Sequence, residues 1–380
     1  MARKRAKNGK GTVYQRKNGT WAADCFILDE YGNKKRKSFY GRTEDEARLK
    51  MEEALKQVEQ HGKFKDYSKL TLKQWMEQVL ENKMIADSTR ESYGYTLKHV
   101  YNTIGDKLVK QVSHSDIQRL ISNKYQKENL SPRTVRLIYT LINNCMRKAI
   151  REGIRTDNPA EGIDLPEQDK KEVKHLSPED REKLMAEAKK SKHYAAILLD
   201  LSTGIRRGEL LALEWRHVNF KDNTITIEQA LNRTKEKGIQ VGKTKNANSK
   251  RKVSVHKSVM SELKKHGWKQ KEHKDLLGDA YYRGHDLVFC KEDGTPLCPV
   301  AFSRTFKRLT ERAGIEDFSF HGLRHTFTTI ALEKGVDLKT VSASLGHSNI
   351  GVTGNIYAHV TDKMSGKVAE VMGEALSAYV

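Results

Sequence analysis

Across its middle the chain reads Tyr194-Ala195-Ala196-Ile197-Leu198-Leu199-Asp200-Leu201-Ser202-Thr203-Gly204-Ile205-Arg206-Arg207-Gly208-Glu209-Leu210-Leu211-Ala212-Leu213, and this stretch decides how the C-terminal half folds. Apolar residues on every side of Ala195 to Leu201 predict a buried helix. The run is far short of the roughly 20 apolar residues a membrane span needs. Thr203-Gly204 is a helix stop. The chain then turns between two apolar segments, so Arg206 stands at an interior turn, where a guanidinium needs an anion or a carboxylate. Glu209, three residues on, can be that carboxylate, and on this segment alone a structural arginine–glutamate pair is the simpler account.

Outward on the C-terminal side, Thr224-Ile225-Thr226-Ile227 and Arg251-Lys252-Val253-Ser254-Val255 read as strands, with Val241-Gly242-Lys243-Thr244-Lys245 between them. Lys243 falls in or beside a hairpin. His321-Gly322-Leu323-Arg324-His325-Thr326-Phe327 opens a helix that continues through Leu332. His321 and His325 have zinc-ligand spacing, but Gly322 and Leu323 stand where a metalloprotease keeps its glutamate, so no metal is expected. His321 and Arg324, three positions apart, share a helix face and can address one phosphate. Leu345-Gly346-His347-Ser348 and Asn355-Ile356-Tyr357-Ala358-His359 follow. Met364, Val368, Val371, Met372, Ala375, Leu376 and Tyr379 then form an apolar stripe at helical spacing that must be accepted either by its own domain or by a neighbouring protomer.

On the N-terminal side, Asn18-Gly19 and Asp29 to Asn33 are turns between three short strands, the second presenting Trp21, Ala23, Cys25 and Ile27 on one face and the third carrying Lys34-Lys35-Arg36-Lys37. One face is expected to be apolar and the other cationic. Thr43-Glu44-Asp45-Glu46 caps a helix whose Ala47, Met51, Leu55 and Val58 can cover the apolar face. From Thr71 to about Ile163 the pattern is helical, with start signals at Thr71, Ser88, Ser113 or Ser115, and Ser131-Pro132, giving four helices. Charged residues Glu167 to Lys174 form a linker before the cap at Ser177-Pro178. The expected organisation is multidomain and mainly α with small β elements. Residues 1–62 form a three-stranded sheet plus helix, 66–165 a four-helix domain, and 173–380 a mixed, mostly α domain.

Composition narrows the function. The 380 residues carry 70 Lys and Arg against 49 Asp and Glu, a net charge of +21, so an acidic polymer is the natural partner. The first 42 residues alone hold 12 basic against 3 acidic side chains, and a folded ribbon of that charge fits DNA contact in a major groove. A mean hydropathy of −0.73 and no apolar run near 20 residues argue against a membrane protein. The positive start Met1 to Lys7 has no apolar segment behind it, so no secretory signal is expected. The four cysteines, Cys25, Cys145, Cys290 and Cys298, lack disulfide or zinc spacing and are expected to be reduced. No phosphate loop of the Gly-x-x-x-x-Gly-Lys-Ser/Thr type and no carboxylate cluster is present, so neither ATP nor a two-metal site is indicated.

In order, Thr203-Gly204-Ile205-Arg206 with Glu209, Lys243-Thr244, His321-Gly322-Leu323-Arg324-His325, Leu345-Gly346-His347 and Tyr357-Ala358-His359 resemble the five signatures of the tyrosine recombinase family, the phage and conjugative-transposon integrases. The N-terminal module resembles the arm-site-binding domain of integrases, and the helical module their core-site-binding domain. Val352-Thr353-Gly354 departs from the usual residues before the tyrosine. The resemblance implies a site-specific recombinase that cuts and rejoins DNA through a 3′-phosphotyrosyl intermediate, integrating and excising a mobile element without cofactor or metal. Tyr357 would be the nucleophile, and Arg206, Lys243, His321, Arg324 and His347 its catalytic partners, with Glu209 in support. It also implies core-type and arm-type double-stranded DNA sites, a homotetramer on DNA, an excisionase and a DNA-bending host protein as accessory partners, and a bacterial, nucleoid-associated cytoplasmic location. Two other readings are a type IB topoisomerase, which needs no arm-binding module, and a noncatalytic DNA-binding regulator, which needs none of the six phosphate-directed residues.

Overall fold

The structure is a computed structural model that describes residues 11–29, 32–168, 174–243, 250–346, 351 and 354, with the side chains of 60, 61 and 243 excepted. The chain forms two compact units, 1–169 and 170–380.

In the first unit, β1 (Thr12–Gln15), β2 (Trp21–Leu28) and β3 (Lys34–Gly41) form an antiparallel sheet in that order. The Asn18-Gly19 turn is closed by Arg16 N donating to Thr20 O at 2.8 Å, with Gly19 at φ 81°, a conformation glycine adopts without strain. Period-two alternation buries Ala23, Cys25 and Ile27 against Ala47 and Met51 of α1 (Glu44–His61), as expected. The hydroxyl of Thr43 caps that helix by accepting from Glu46 N. The basic run of β3 is divided by the same alternation. Arg36 and Lys34 pair across from Phe26 and Leu28 on the open face, whereas Lys37, opposite Cys25, reaches Asp66 at 2.8 Å and lies over the Phe64 ring. The cationic face therefore carries half of that run.

The rest of this unit is α2 (Leu72–Glu81), α3 (Asp87–Ile104), α4 (His114–Gln126) and α5 (Pro132–Arg151). Side chains of Thr71, Ser113 and Ser131 cap α2, α4 and α5, as their sequence signals indicate. Ser88 is not a cap. It lies inside α3, which begins after Ala86 with no side-chain cap bond, because Asp87 already carries the helical conformation. The four apolar stripes meet in one core that includes Leu72, Met76, Ile117, Ile138 and Ile142. Full burial of each such side chain contributes roughly 2 kcal/mol. Trp75 Nε1 donates to Cys145 O at 2.9 Å and joins α2 to α5.

The second unit begins with α6 (Pro178–Lys189), α7 (Tyr194–Thr203) and α8 (Arg207–Leu211). Then come the short strands β4 (Val218–Asn219) and β5 (Thr224–Ile227), the hairpin of β6 (Gln229–Thr234) and β7 (Gly238–Lys243), and β8 (Arg251–Ser254). Helices α9 (Lys257–Leu277), α10 (Pro299–Arg312), α11 (His321–Glu333) and α12 (Leu338–Leu345) complete it. β8 pairs with β5, and β7 pairs with β6 rather than with the strand that follows it. Helix α7, apolar all round, runs through the centre against α6, α8, α9 and α11, and its Ile197 and Leu199 are wholly buried. Among the described residues no helix is long and apolar enough to cross a membrane.

Candidate active site

The site grows from the end of α7. Gly204 adopts φ 62° and donates its N–H to Asp200 O at 2.7 Å, which stops the helix. A Cβ at this position would stand 2.6 Å from Phe327 Cδ1 and 2.7 Å from Leu345 Cδ2, so only glycine lets the turn approach α11 and α12 so closely. Two residues later Arg206, extended at φ −72° and ψ 145°, stands at the N-cap of α8. Glu209 reaches back to it, Oε2 accepting from Arg206 N at 3.1 Å and Oε1 from Nη1 at 2.8 Å. The pair inferred from sequence is thus present. It does more than satisfy itself, because Arg206 Nη2 donates to Gly346 O at 3.0 Å and its side chain remains 39% exposed.

Arg324 arrives from α11. It is buried, and it donates from Nη1 to Gly204 O at 2.7 Å and from Nη2 to Leu345 O at 2.9 Å. Arg206 and Arg324, 118 positions apart in the chain, therefore hold two consecutive carbonyls at the end of α12. Those carbonyls carry the partial negative charge of a helix C-terminus, which favours cations. Burial, reinforced by the charge of Arg206, pushes Arg324 down to about 9, so the guanidinium is still charged at neutral pH.

His321 begins α11 at the surface, its ring edge-on to that of His325 with centroids 4.7 Å apart. Loss of water on its protein side and the charges of Arg324, Arg206 and Arg207 lower its pKa below the usual 6.5. At neutral pH it is an uncharged imidazole able to accept a proton. His325 is pushed down to about 4, chiefly by burial, and its Nδ1 has no hydrogen-bond partner among the described residues. Burial raises the carboxyl of Glu209, but bonds from Arg251 and Arg206 outweigh this and leave it lowered. Asp200 is the opposite case. Neither of its oxygens is bonded among the described residues, and burial holds its pKa well above the ordinary value although Arg324 pulls the other way.

Four of the seven residues singled out from sequence, Arg206, Glu209, His321 and Arg324, converge here. Lys243 is the last residue of β7, with its backbone opposite Gln229, and its side chain lies outside the described residues. His347 and Tyr357 also lie outside them, as does the apolar stripe from Met364. Arg251, which sequence reasoning passed over, belongs to the site. Its Nη2 donates to Glu209 Oε2 at 2.9 Å and its Nε to Ser344 O at 2.7 Å, with the side chain 8% exposed. The alternation of Arg251, Val253 and Val255 on the inward face, with Lys252 between them pointing out, could have found it.

Paired guanidinium groups beside a neutral imidazole form a receptor for a phosphodiester and a means of moving a proton at it. Residues 174–364 match the phage integrase family. A tyrosine recombinase XerC-like protein of Caldanaerobacter subterraneus subsp. tengcongensis is 31% identical over 91% of this chain and 93% of its own, and the ICEBs1 integrase of Bacillus subtilis is 24% identical over 76% and 79%. Among solved structures, the Tn1549 transposon integrase in complex with transposon right end DNA superposes with a TM-score of 0.68 at 23% identity, over 81% of this chain and all of that one. A lambda integrase tetramer bound to a Holliday junction superposes at 0.57 and 20%, over 93% and 96%. At these identities the two structures establish a shared fold.

Proposed function

The chain belongs to the phage integrase family and is a tyrosine site-specific recombinase, and from that premise we propose how its residues divide the work. Arg206 and Arg324 bind the non-bridging oxygens of the scissile phosphate, and their hold strengthens as negative charge builds in the transition state. The Tyr357 oxygen attacks phosphorus. Its phenol, with a reference pKa of about 10, gives up its proton to neutral His321 as the P–O bond forms. The bond from phosphorus to the 5′-oxygen breaks, and Lys243 supplies that oxygen with a proton. His347 adds a donor at the phosphate. Glu209 keeps Arg206 aimed. The product is a 3′-phosphotyrosyl bond, and the 5′-hydroxyl of a second duplex attacks it in the reverse sense, so the bond is exchanged rather than hydrolysed.

The observation that carries this reading is the pair of arginines on adjacent carbonyls, one from the start of α8 and one from α11, with a neutral histidine beside them. In the same reading residues 1–62 hold arm-type DNA, residues 66–165 hold core-type DNA, and residues 173–380 perform the chemistry. Four protomers work together on two duplexes, with the apolar stripe from Met364 docking between neighbours. The place of action is the cytoplasm, on DNA that a bending protein shapes and an excisionase redirects.

A nicked core-site duplex, in which the released strand end diffuses away, tests the chemistry. The full chain should form a covalent adduct with it in chelator and without ATP, and Tyr357→Phe should form none. Equal adduct from both proteins would place the nucleophile elsewhere.

A further inference from the structure

Three consecutive carbonyls at the end of α12 each accept a hydrogen bond from a different arginine. Arg251 Nε reaches Ser344 O at 2.7 Å, Arg324 Nη2 reaches Leu345 O at 2.9 Å, and Arg206 Nη2 reaches Gly346 O at 3.0 Å. Two of these arginines have a place in the proposed chemistry. The third has none, yet it is tied to the others through a single carboxylate, since Glu209 Oε2 accepts from Arg251 Nη2 at 2.9 Å and Oε1 from Arg206 Nη1 at 2.8 Å.

From this circuit we infer that Arg251 is a positioning residue for the strand-cleavage reaction, holding Glu209 and the end of α12 so that Arg206 presents its free edge to the phosphate. The inference rests on the assignment of Arg206 to the phosphate made above. Arg251 does not itself meet the DNA, because its side chain is 8% exposed and both its Nε and its Nη2 are engaged inside the protein. Its influence has two routes, each visible as a bond. Through Glu209 it fixes the carboxylate that takes both the backbone N–H and Nη1 of Arg206. Through Ser344 it fixes the turn whose Gly346 carbonyl takes Nη2 of the same arginine. Without Arg251 the Glu209 carboxylate would remain buried with one cation fewer, held by Arg206 alone and less firmly fixed, and the helix end would lose one of its three arginine ties. Small misplacement of a phosphate-binding group is enough to slow the step severely. Ordinary packing would not require a buried guanidinium here. A β-strand side chain facing the core beside Val253 is usually apolar, so its charge and fork geometry call for a reason.

The test separates action through Arg206 from general support of the fold. Arg251→Gln, Arg251→Lys, Arg206→Gln and the unaltered full chain are compared in single-turnover covalent capture on two nicked duplexes of one core sequence. One carries the natural scissile phosphate and the other a methylphosphonate, in which a neutral methyl replaces an anionic oxygen and relieves the need for a cation. On the natural phosphate Arg251→Gln should slow adduct formation by about tenfold or more while DNA affinity stays within about threefold. On the methylphosphonate that deficit should shrink in step with the deficit of Arg206→Gln. Arg251→Lys keeps the charge beside Glu209 and should fold as the natural chain does, with a smaller deficit that the methylphosphonate relieves in the same way. If Arg206→Gln is relieved but the Arg251 variants are equally slow on both duplexes, or as fast as the natural chain, Arg251 does not act through Arg206 and the inference is wrong. If Arg206→Gln is itself unimpaired or unrelieved, the assignment of Arg206 fails and the inference falls with it.

Discussion

The carbonyl of Gly204 accepts a hydrogen bond from Nη1 of Arg324 at 2.7 Å, so the residue that ends α7 also seats the second arginine of the site. One peptide unit thus ends the helix and holds the arginine proposed to bind the scissile phosphate. An alanine at 204 would force a left-handed conformation on a residue with a Cβ and drive that carbon to 2.6 Å from the Phe327 ring. The backbone term alone is about 1 kcal/mol or more, and the contact adds to it. Gly204→Ala is therefore expected to lower the thermal midpoint of the second unit and to depress covalent capture by a larger factor than the loss of folded protein accounts for. Calorimetry alongside adduct yield per folded molecule checks this. A variant that is destabilised but fully active when folded would show that the Gly204–Arg324 bond is dispensable.

Asp200 makes a prediction with a definite sign. Its folded-state pKa lies above the unfolded value of 3.8, so folding favours the protonated acid, and stability is lost as pH rises from about 4 toward the folded pKa. Asparagine resembles the protonated acid at every pH. Asp200→Asn should be more stable than the natural chain at pH 8 and approach it near pH 4, which urea midpoints across that range would read. A gap that closes or reverses as pH rises would mean an ionised Asp200 paired with Arg324.

His321 should keep cleavage running in mild acid. Since its pKa in the free protein is below 6.5, the neutral base persists beneath that value, and the acid limb of the second-order capture rate should fall below pH 6.5. Arg207, exposed and bonded to Ser303, is one of the cations that lower it. Arg207→Gln should shift the limb upward. Capture rates at subsaturating DNA measure this limb, and one at or above 6.5 in the natural chain would remove His321 as the base.

The open face of the N-terminal sheet offers a salt test. Arg16 lies over Tyr40 and Lys34 over Phe26, rings that are themselves 51% and 61% exposed, so each cation stands on an aromatic platform facing solvent. Changing both to glutamine should weaken arm-type DNA binding and reduce the slope of log K against log salt by about two. Filter binding over a salt series reads both quantities. An unchanged slope would place the DNA elsewhere on the chain.

Much of this arrangement was legible in residue order. A wholly apolar helix, a glycine stop and an arginine at an interior turn predict the Gly204–Arg206 corner, and periodicity alone finds the four-helix core. What escaped was nonlocal or disguised by its neighbours. Nothing near Val241 says that β7 turns back to β6 rather than on to β8, because both partners are short and each holds a single β-branched residue. Arg251 sits in Lys250-Arg251-Lys252, which reads as a solvated basic run, and only the folded strand shows side chains of 67%, 8% and 58% exposure in succession. The buried arginine is distinguished by which way the pleat points it.

The three-stranded sheet has β1 and β3 at its two edges, each with one side of its backbone ladder unpaired within the sheet. Open edges invite a second copy to add its own strand, and an exposed Phe26 in the middle strand would reward that stacking. Lys34 and Lys35 at the start of β3 oppose it, since a second β3 brought alongside would meet their like charges, whereas Arg36 is paired with Asp24 and Lys37 with Asp66. The basic edge is thus also a guard against self-assembly into fibrils. It is strongest in dilute salt, and it weakens as the screening length shrinks to about 10 Å at 0.1 M.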